Sequence, residues 1–599
     1  MNSKCSTNKN VQLLISLLKA HGIKRVITSP GFTHVEFLGS LQNDGWFEMY
    51  SCVDERGAAY MACGMAAETQ EPVVITCTEA TASRNYIPGL TEAYYRKLPV
   101  LAITGLHAYN LIGQLEPQVI DRSVSPKDVL VEKVNLPEIR DENDRWESEL
   151  KINQALLALR RNGGGPVHIN LPRSSTTYDF SVEAPVKGRV IRRYTCGDVF
   201  PELPKGRIAV LCWSHVRWSQ AQVKAIEDFC DRHDAVVMCD HTSGYHGRYR
   251  FSPSLIAAQK ISSDLFKPDL IINIGELSGD YTVMRRFTSK SDVWRVNPDG
   301  EIRDPLKSIT KIFAMREEDF FAHYAVGEPV QEHGYFRDCA EMDQTVRASL
   351  PELPFSNIYA AAETSCRIPE GSVVHLGMSN TIRAWSFFVF PDSVESFINA
   401  GCRGIDGTLS SLIGASIVGR NKLHFGVLGD LSFFYDLNSL GNRDIGNNLR
   451  IMVINNNGGS LFKKNTGEER KWFSFQEIDQ YIAAGRHFGG RDSEVIRHVA
   501  EDLGYEYLRA SGKEEFDQLI DIFTSPEERP KPMIFEVRTS DANEAKAFEL
   551  MGSIVMDPKK RLKQAVKGVI GTNGVNYARR LLGQEKKADF AIGKNDRKE

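Results

Sequence analysis

Two stretches decide the reading of this chain: Gly429-Asp430-Leu431-Ser432-Phe433-Phe434-Tyr435-Asp436-Leu437-Asn438, and further on Ile454-Asn455-Asn456-Asn457-Gly458-Gly459. Val427-Leu428 and Ile451-Met452-Val453-Ile454 are short apolar runs of the kind that form buried parallel strands. Each run ends in small polar residues, which predicts Asp430 and Asn457 on loops at strand ends, where open α/β sheets bind ligands. Asp430 and Asn457 lie 27 positions apart, enough for a strand-helix-strand unit that returns the chain beside its start. A carboxylate, an amide oxygen and the Gly459 carbonyl would then share one hard cation. Mg²⁺ suits such a set, because it is held by one or two carboxylates and takes its other oxygens from phosphates and water.

A chain of 599 residues exceeds what one core can hold and predicts about three to five domains. Its 42% hydrophobic and 25% charged residues are ordinary for a globular protein. A formal net charge of -4 gives no electrostatic reason to expect nucleic acid or an anionic membrane as partner. No apolar run has the length of a membrane span, and the polar Met1–Asn10 does not read as a secretory signal. The 11 cysteines are dispersed with no Cys-x-x-Cys pair, which reads as reduced thiols in a cytoplasm. The His residues show no metal-binding spacing.

From residue 11 to about 185, helical and strand patterns alternate: a helix at Val11–His21, a strand at Arg25–Thr28, a helix near Ala58–Glu68, a strand at Val73–Cys77, and a strand closing at Pro172. A charged connector leads to strands at Ile208–Cys212, Ala235–Cys239 and Leu270–Ile274, and a third α/β region begins near Phe355. The expected fold is α/β, three doubly wound parallel-sheet domains at residues 1–185, 194–340 and 350–545. An extension at 546–599 carries Lys559, Lys560, Arg561 and Lys563, a charge run that reads as a solvated face.

Cys52-Val53-Asp54-Glu55-Arg56-Gly57-Ala58-Ala59 sets two carboxylates just before a helix of small residues. Alone, such a pair caps the helix and suits its dipole. Taken with the cation motif, it offers one buried carboxyl of the kind that activates a bound cofactor, with the cofactor carrying the chemistry. Glu55 is the expected catalytic acid and Asp54 its structural partner. Burial would raise the carboxyl pKa enough for it to share a proton.

These residues bring the chain to a known family. Gly-Asp, a spacer and Asn-Asn resemble the thiamine-diphosphate signature. Ser29-Pro30-Gly31, Asp54-Glu55-Arg56, Gly165–Pro172, Asn297-Pro298-Asp299-Gly300, Gly377–Arg383 and Arg403-Gly404-Ile405-Asp406-Gly407-Thr408 resemble the menaquinone-pathway synthases that join 2-oxoglutarate to isochorismate. The resemblance covers most of residues 10–545. It implies thiamine diphosphate and Mg²⁺ as cofactors, with Glu55 activating the cofactor and Asp430, Asn457 and Gly459 holding the metal. It places Ile405, Asp406, Gly407, Gly429, Leu431, Ser432 and Asn455 around the cofactor, Ile405 as the apolar wedge that bends it. Thr33, Glu79, His107, Gln118, Ser379, Arg383 and Phe462 fall around the substrates, where the Arg383 guanidinium would grip a distal carboxylate. It also implies a site shared by Glu55 of one subunit and Asp430 of another, hence a homodimer or homotetramer.

The pattern departs from that family in one region. The family's Pro-Gly-Ser-Arg is Pro30-Gly31-Phe32-Thr33, its Thr-Ala-Asp-Arg-Pro is Thr104-Gly105-Leu106-His107-Ala108, and its Thr-Ser-Gly-Thr is Thr78-Glu79-Ala80-Thr81. Its Arg-Gly-Ala-x-Gly-Ile-Asp is Ala400-Gly401-Cys402-Arg403-Gly404-Ile405-Asp406. Three arginines are lost or displaced, each worth roughly 1.5–3 kcal/mol as a charge-assisted contact, and Glu79 would repel an anion it faced. Phe32 and Leu106 would form a flatter, more apolar wall, with His107 able to donate or accept a proton. The expected reaction is decarboxylation of a 2-oxo acid and transfer of the acyl carbanion to a carbonyl or activated alkene other than isochorismate. The alternatives are the menaquinone reaction itself, a simple decarboxylase or acetolactate-type synthase, and a cofactor-binding protein without catalysis.

Overall fold

The structure, a computed structural model, describes residues 4–555 except 108, 174–177, 260, 288–289, 464–467, 486 and 490–492. The basic residues expected on a solvated tail, Lys559, Lys560, Arg561 and Lys563, lie outside the described residues. The chain divides into two units: Met1–Lys205 with Asp269–Ile274 and Ser289–Tyr324, and Gly206–Pro268 with Gly275–Thr288 and Ala325–Glu599.

The first unit holds a six-stranded sheet of β1 (Arg25–Thr28), β2 (Glu48–Ser51), β3 (Val73–Cys77), β4 (Val100–Leu106), β5 (Glu132–Asn135) and β6 (Val167–Pro172), in the order β2-β1-β3-β4-β6-β5. Every pairing is parallel. The central strands are β7 (Arg192–Tyr194), β8 (Ile208–Cys212), β9 (Ala235–Cys239), β10 (Arg250–Phe251), β11 (Leu270–Ile274), β12 (Asp292–Val296) and β13 (Ile309–Phe313), paired in parallel within each unit. The run β11-β12-β13-β7 belongs to the first unit and β10-β9-β8 to the second. The second unit also holds β14 (Val373–Leu376), β15 (Glu395–Ile398), β16 (His424–Gly429), β17 (Leu449–Asn455), β18 (Glu506–Ala510) and β19 (Met533–Arg538), ordered β15-β14-β16-β17-β19-β18.

Buried apolar runs explain these strands. In β3 and β4 every residue is buried, and alternate side chains serve different cores. Val74, Leu101 and Ile103 pack with Leu14, Leu17 and Phe37 on one face; Val73, Ile75, Val100 and Ala102 pack with Ala58, Ala62 and Leu90 on the other. Two covered faces are what an all-parallel sheet requires. The helix Glu55–Thr69 presents Ala58, Ala59, Ala62, Cys63 and Ala66 inward, small enough for helix Ile87–Tyr95 to approach closely. A Cβ at Gly89 would stand 2.4 Å from that of Ala59.

The first and third sheets share one strand permutation: second, first, third, fourth, sixth, fifth. In both, the winding direction reverses between the first and third strands, so each has a crevice at the carboxyl ends of those two strands. In the first sheet the crevice opens between the loops after β1 and β3, where a Cβ on Gly31 would overlap Thr78. In the third it opens after β14 and β16; Gly377 lies there, and its Cβ would meet Leu428 Cα at 3.1 Å.

The expected boundary at 545 falls inside helix Asp541–Met551, which begins from the Ser540 cap and buries Glu544, Ala547 and Met551.

Candidate active site

At the crevice of the third sheet, Asp430 is not on a loop as the sequence suggested. It is the first residue of a short helix, Asp430–Tyr435, entered from extended Gly429. Its carboxyl is buried: Oδ1 accepts the Leu431 N–H at 2.8 Å and Oδ2 the Gly458 N–H at 2.9 Å. Burial pushes its pKa up to about 7 despite those donors. A cation at its open lone pairs would keep the carboxylate ionised. The residues therefore fit a metal-bridged diphosphate.

The facing loop follows β17, the parallel neighbour of β16. Asn457 sits at φ 65°, a left-handed conformation Asn tolerates. Gly458 and Gly459 pass so close to Ala483 and Gly485 that a Cβ would meet backbone at 3.0 Å. The Gly459 carbonyl accepts the Phe462 N–H at 3.2 Å, which leaves its second lone pair, and the Phe462 ring lies 3.3 Å from where a Gly459 Cβ would be. Ser432 Oγ donates to the Ile405 carbonyl at 2.5 Å, fixing the proposed wedge beside the Asp430 helix. Leu431 and Ile405 are half-buried, Asp406 is exposed, and Gly407 leads into helix Thr408–Val418.

Ser379 ends the β14 loop at φ 75° and ψ -117°, a strained backbone for a non-glycine residue. Next to it, Asn380 Nδ2 donates to Ser460 Oγ at 2.7 Å, as Asn456 Nδ2 does at 3.2 Å, and the Asn456 and Asn380 amide oxygens are buried without a hydrogen-bond partner. Arg383 is half-buried one turn further along helix Asn380–Trp385.

Asn455 is engaged within the fold. Its amide donates to the fully buried Glu536 carboxylate at 2.6 Å, and its oxygen accepts the Asn457 N–H at 3.2 Å. Glu536 also accepts from Arg538 Nε at 3.0 Å and Tyr507 Oη at 2.5 Å. A carboxylate only accepts, so it dictates which way the Asn455 amide points and holds the loop that carries Asn457. Glu536, Tyr507 and Arg538 carried no sequence signal; they are gathered by the pairings of β17, β19 and β18. Asp436 lies in the opening stretch but was given no role there: it binds the Ser410 N–H and hydroxyl at 2.6 and 2.5 Å, anchoring helix Thr408–Val418.

In the first unit, Asp54 caps helix Glu55–Thr69 by accepting the Gly57 N–H, and Glu55 is its first residue. Glu55 Oε2 accepts from Asn85 Nδ2 at 3.2 Å. The carboxyl is half-buried in the single chain, where the sequence reading expected full burial.

Glu79 and His107 meet beside the crevice of the first sheet, at the ends of β3 and β4. Glu79 is buried; Oε2 accepts the His107 N–H at 3.1 Å and Oε1 pairs with His107 Nδ1. The carboxylate that the sequence set against an anionic acceptor is thus held by His107, a pairing between two separate loops. Thr33 is buried with Oγ1 unpartnered and stands where a Gly105 Cβ would be. His34 is buried too, and desolvation pushes its imidazole down to about 4, so it stays neutral.

The apolar wall is also corrected. Leu106 is buried in β4, and the exposed Phe32 ring lies under the Arg173 guanidinium at 5.0 Å, with Tyr178 edge-on at 5.9 Å. Arg122 is buried against Thr104 Oγ1 and the Gly105 carbonyl, at 2.6 and 2.5 Å. Two arginines thus stand near this strand end, from positions outside the compared strings. Gln118 lies on an exposed loop at φ 68°.

Residues 8–124 match the family model described as thiamine pyrophosphate enzyme, N-terminal TPP binding domain. A 2-succinyl-5-enolpyruvyl-6-hydroxy-3-cyclohexene-1-carboxylate synthase of Bacteroides fragilis is 30% identical over 567 residues, covering 91% of this chain and 98% of the relative. The chain belongs to the thiamine pyrophosphate enzyme family. A synthase of the same name from Bacteroides thetaiotaomicron is 30% identical over 561 residues, with 91% and 98% covered. One from Phocaeicola vulgatus is 29% identical over 547 residues, with 89% and 96% covered. The three parallel α/β sheets agree with this family, and the protein is a thiamine-pyrophosphate-dependent enzyme. Among the described residues no helix is long and apolar enough to cross a membrane.

Proposed function

We propose that this enzyme decarboxylates a 2-oxo acid and transfers the acyl unit to a carbonyl or activated alkene other than isochorismate. Bound thiamine diphosphate supplies the carbon nucleophile that adds to the donor carbonyl and takes up the charge left by departing CO₂. Asp430, the Asn457 side chain and the Gly459 carbonyl hold Mg²⁺, and through it the diphosphate. Glu55 holds the proton at the pyrimidine N1′; a second copy of the chain covers its half-exposed carboxyl, so the active form is a homodimer or homotetramer. The division at 1–185, 194–340 and 350–545 belongs to this reading, one domain per sheet, and a cytoplasmic setting goes with it. Arg383, one turn from Ser379, takes the distal carboxylate of a dicarboxylic donor.

The buried Asp430 carboxyl facing the Asn457–Gly459 loop carries the cofactor half of this reading. The Glu79–His107 pair, in a region where the resembled pattern has an arginine and neutral residues, carries the acceptor half. Losing two charge-assisted contacts to a dianion costs on the order of 3–6 kcal/mol, a hundredfold to several ten-thousandfold in rate. The names of the relatives favour one alternative, the menaquinone-type reaction, and Arg122 and Arg173 are cations it could use. Incubation with 2-oxoglutarate, isochorismate, thiamine diphosphate and Mg²⁺ separates the two. Isochorismate loss is expected to stay far below one turnover per second; a rate near or above that, ordinary for enzymes, would establish the alternative.

A further inference from the structure

We propose that Glu79 and His107 form an acid-base dyad in which His107 Nε2 protonates the oxygen of a carbonyl acceptor as the new C–C bond forms. The inference rests on the decarboxylating reading above and narrows its acceptor to an aldehyde or ketone.

The geometry assigns distinct tasks to the two ring nitrogens. Nδ1 pairs with a carboxylate whose side chain is 3% exposed, and the His107 backbone N–H binds the other carboxylate oxygen. The backbone bond and the Nδ1 contact both hold His107 against Glu79, an arrangement that favours a neutral ring with its proton on Nδ1. The His107 side chain is 19% exposed, and among the described residues no partner engages Nε2. An imidazole oriented by a buried carboxylate and open at its second nitrogen is built to exchange a proton with a ligand.

Its place in the fold points the same way. Glu79 follows β3 and His107 follows β4, beside the winding reversal where an open sheet takes its ligand. Glu79 also starts helix Ala80–Asn85, whose last residue donates to Glu55. Six helical residues rise about 9 Å, so the dyad and the proposed activating acid stand at opposite ends of one short rigid element. Thr33, whose buried Oγ1 has no hydrogen-bond partner, lies at the end of β4 against Gly105.

The step balances. The donor carbon supplies the electron pair for the new C–C bond, and the acceptor C=O π pair moves onto oxygen. That oxygen takes the proton from imidazolium Nε2. His107 is reprotonated from water, so the turnover consumes one proton, one 2-oxo carboxylate and one carbonyl, and yields CO₂ and a 2-hydroxy ketone. An activated alkene would take its proton on carbon and gives this dyad no comparable task.

The test uses the full-length enzyme loaded with thiamine diphosphate and Mg²⁺, with pyruvate or 2-oxoglutarate as donor and benzaldehyde or acetaldehyde as acceptor probe. It measures the ratio of condensed product to CO₂ evolved. His107→Gln is expected to lower that ratio at least 100-fold and Glu79→Gln about tenfold. ¹⁵N spectra of the cofactor-free protein are expected to show neutral His107 protonated on Nδ1, and the preference to be lost in Glu79→Gln. A ratio within threefold of wild type in His107→Gln overturns the dyad, also where CO₂ evolution falls in parallel, because His107 would then serve the donor or the fold. A neutral ring protonated on Nε2 overturns it as well. If the wild type evolves no CO₂ from any 2-oxo acid, the underlying reading fails, an outcome distinct from an unchanged ratio in an active enzyme.

Discussion

Glu55→Gln is expected to leave thiamine diphosphate bound while slowing exchange of its C2 proton by roughly 10²–10⁴-fold. The amide keeps the size of the side chain and an acceptor for Asn85 Nδ2, so helix Glu55–Thr69 and its Asp54 cap should stand. What it removes is an oxygen able to hold and return a proton at the pyrimidine N1′. Exchange followed by proton NMR in deuterated buffer reads that step before any substrate is chosen. Exchange within a few-fold of wild type would remove Glu55 from the activating role.

Asp430→Ala is expected to weaken Mg²⁺-dependent binding of thiamine diphosphate by about a hundredfold or more, since the diphosphate needs the bridging cation and the cation needs this carboxylate. The substitution also leaves the Leu431 and Gly458 N–H groups without their acceptor. Asp430→Asn keeps an acceptor for one of them and serves as the control for loop collapse. Titration calorimetry at limiting Mg²⁺ separates the effects: both variants should bind weakly, with the asparagine variant retaining the melting temperature. Unchanged affinity in Asp430→Ala would mean the diphosphate is held elsewhere.

Much of the fold was legible because parallel strands buried on both faces are short continuous apolar runs. Arg25–Thr28, Val73–Cys77, Ile208–Cys212, Ala235–Cys239 and Leu270–Ile274 fall where the sequence put them. The shared strand order of the first and third sheets was not legible, because order is fixed by which crossovers pack together and not by residues within a strand. The two crevices follow from that order, so only their loops, with Asp430, Asn457, Thr33 and Glu79, could be named in advance. Glu79 and His107 lie 28 positions apart and were read as separate substitutions; their pairing arises because β3 and β4 are neighbours in register. Glu536 was invisible for the same reason, being brought to Asn455 by strand pairing. The Arg173–Phe32 stack joins the end of β6 to the loop after β1, which no local pattern announces.

The central claim, that this chain decarboxylates a 2-oxo acid on thiamine diphosphate held by Mg²⁺, is tested most directly by single-turnover decarboxylation. Wild-type enzyme is mixed with each of a panel of 2-oxo acids, with and without the two cofactors, and acid-quenched adducts are analysed by mass spectrometry. Expected is CO₂ release from at least one donor that requires both cofactors, with a trapped adduct equal in mass to thiamine diphosphate plus the donor less CO₂. Cofactor bound at stoichiometry with no CO₂ and no adduct from any donor would contradict it.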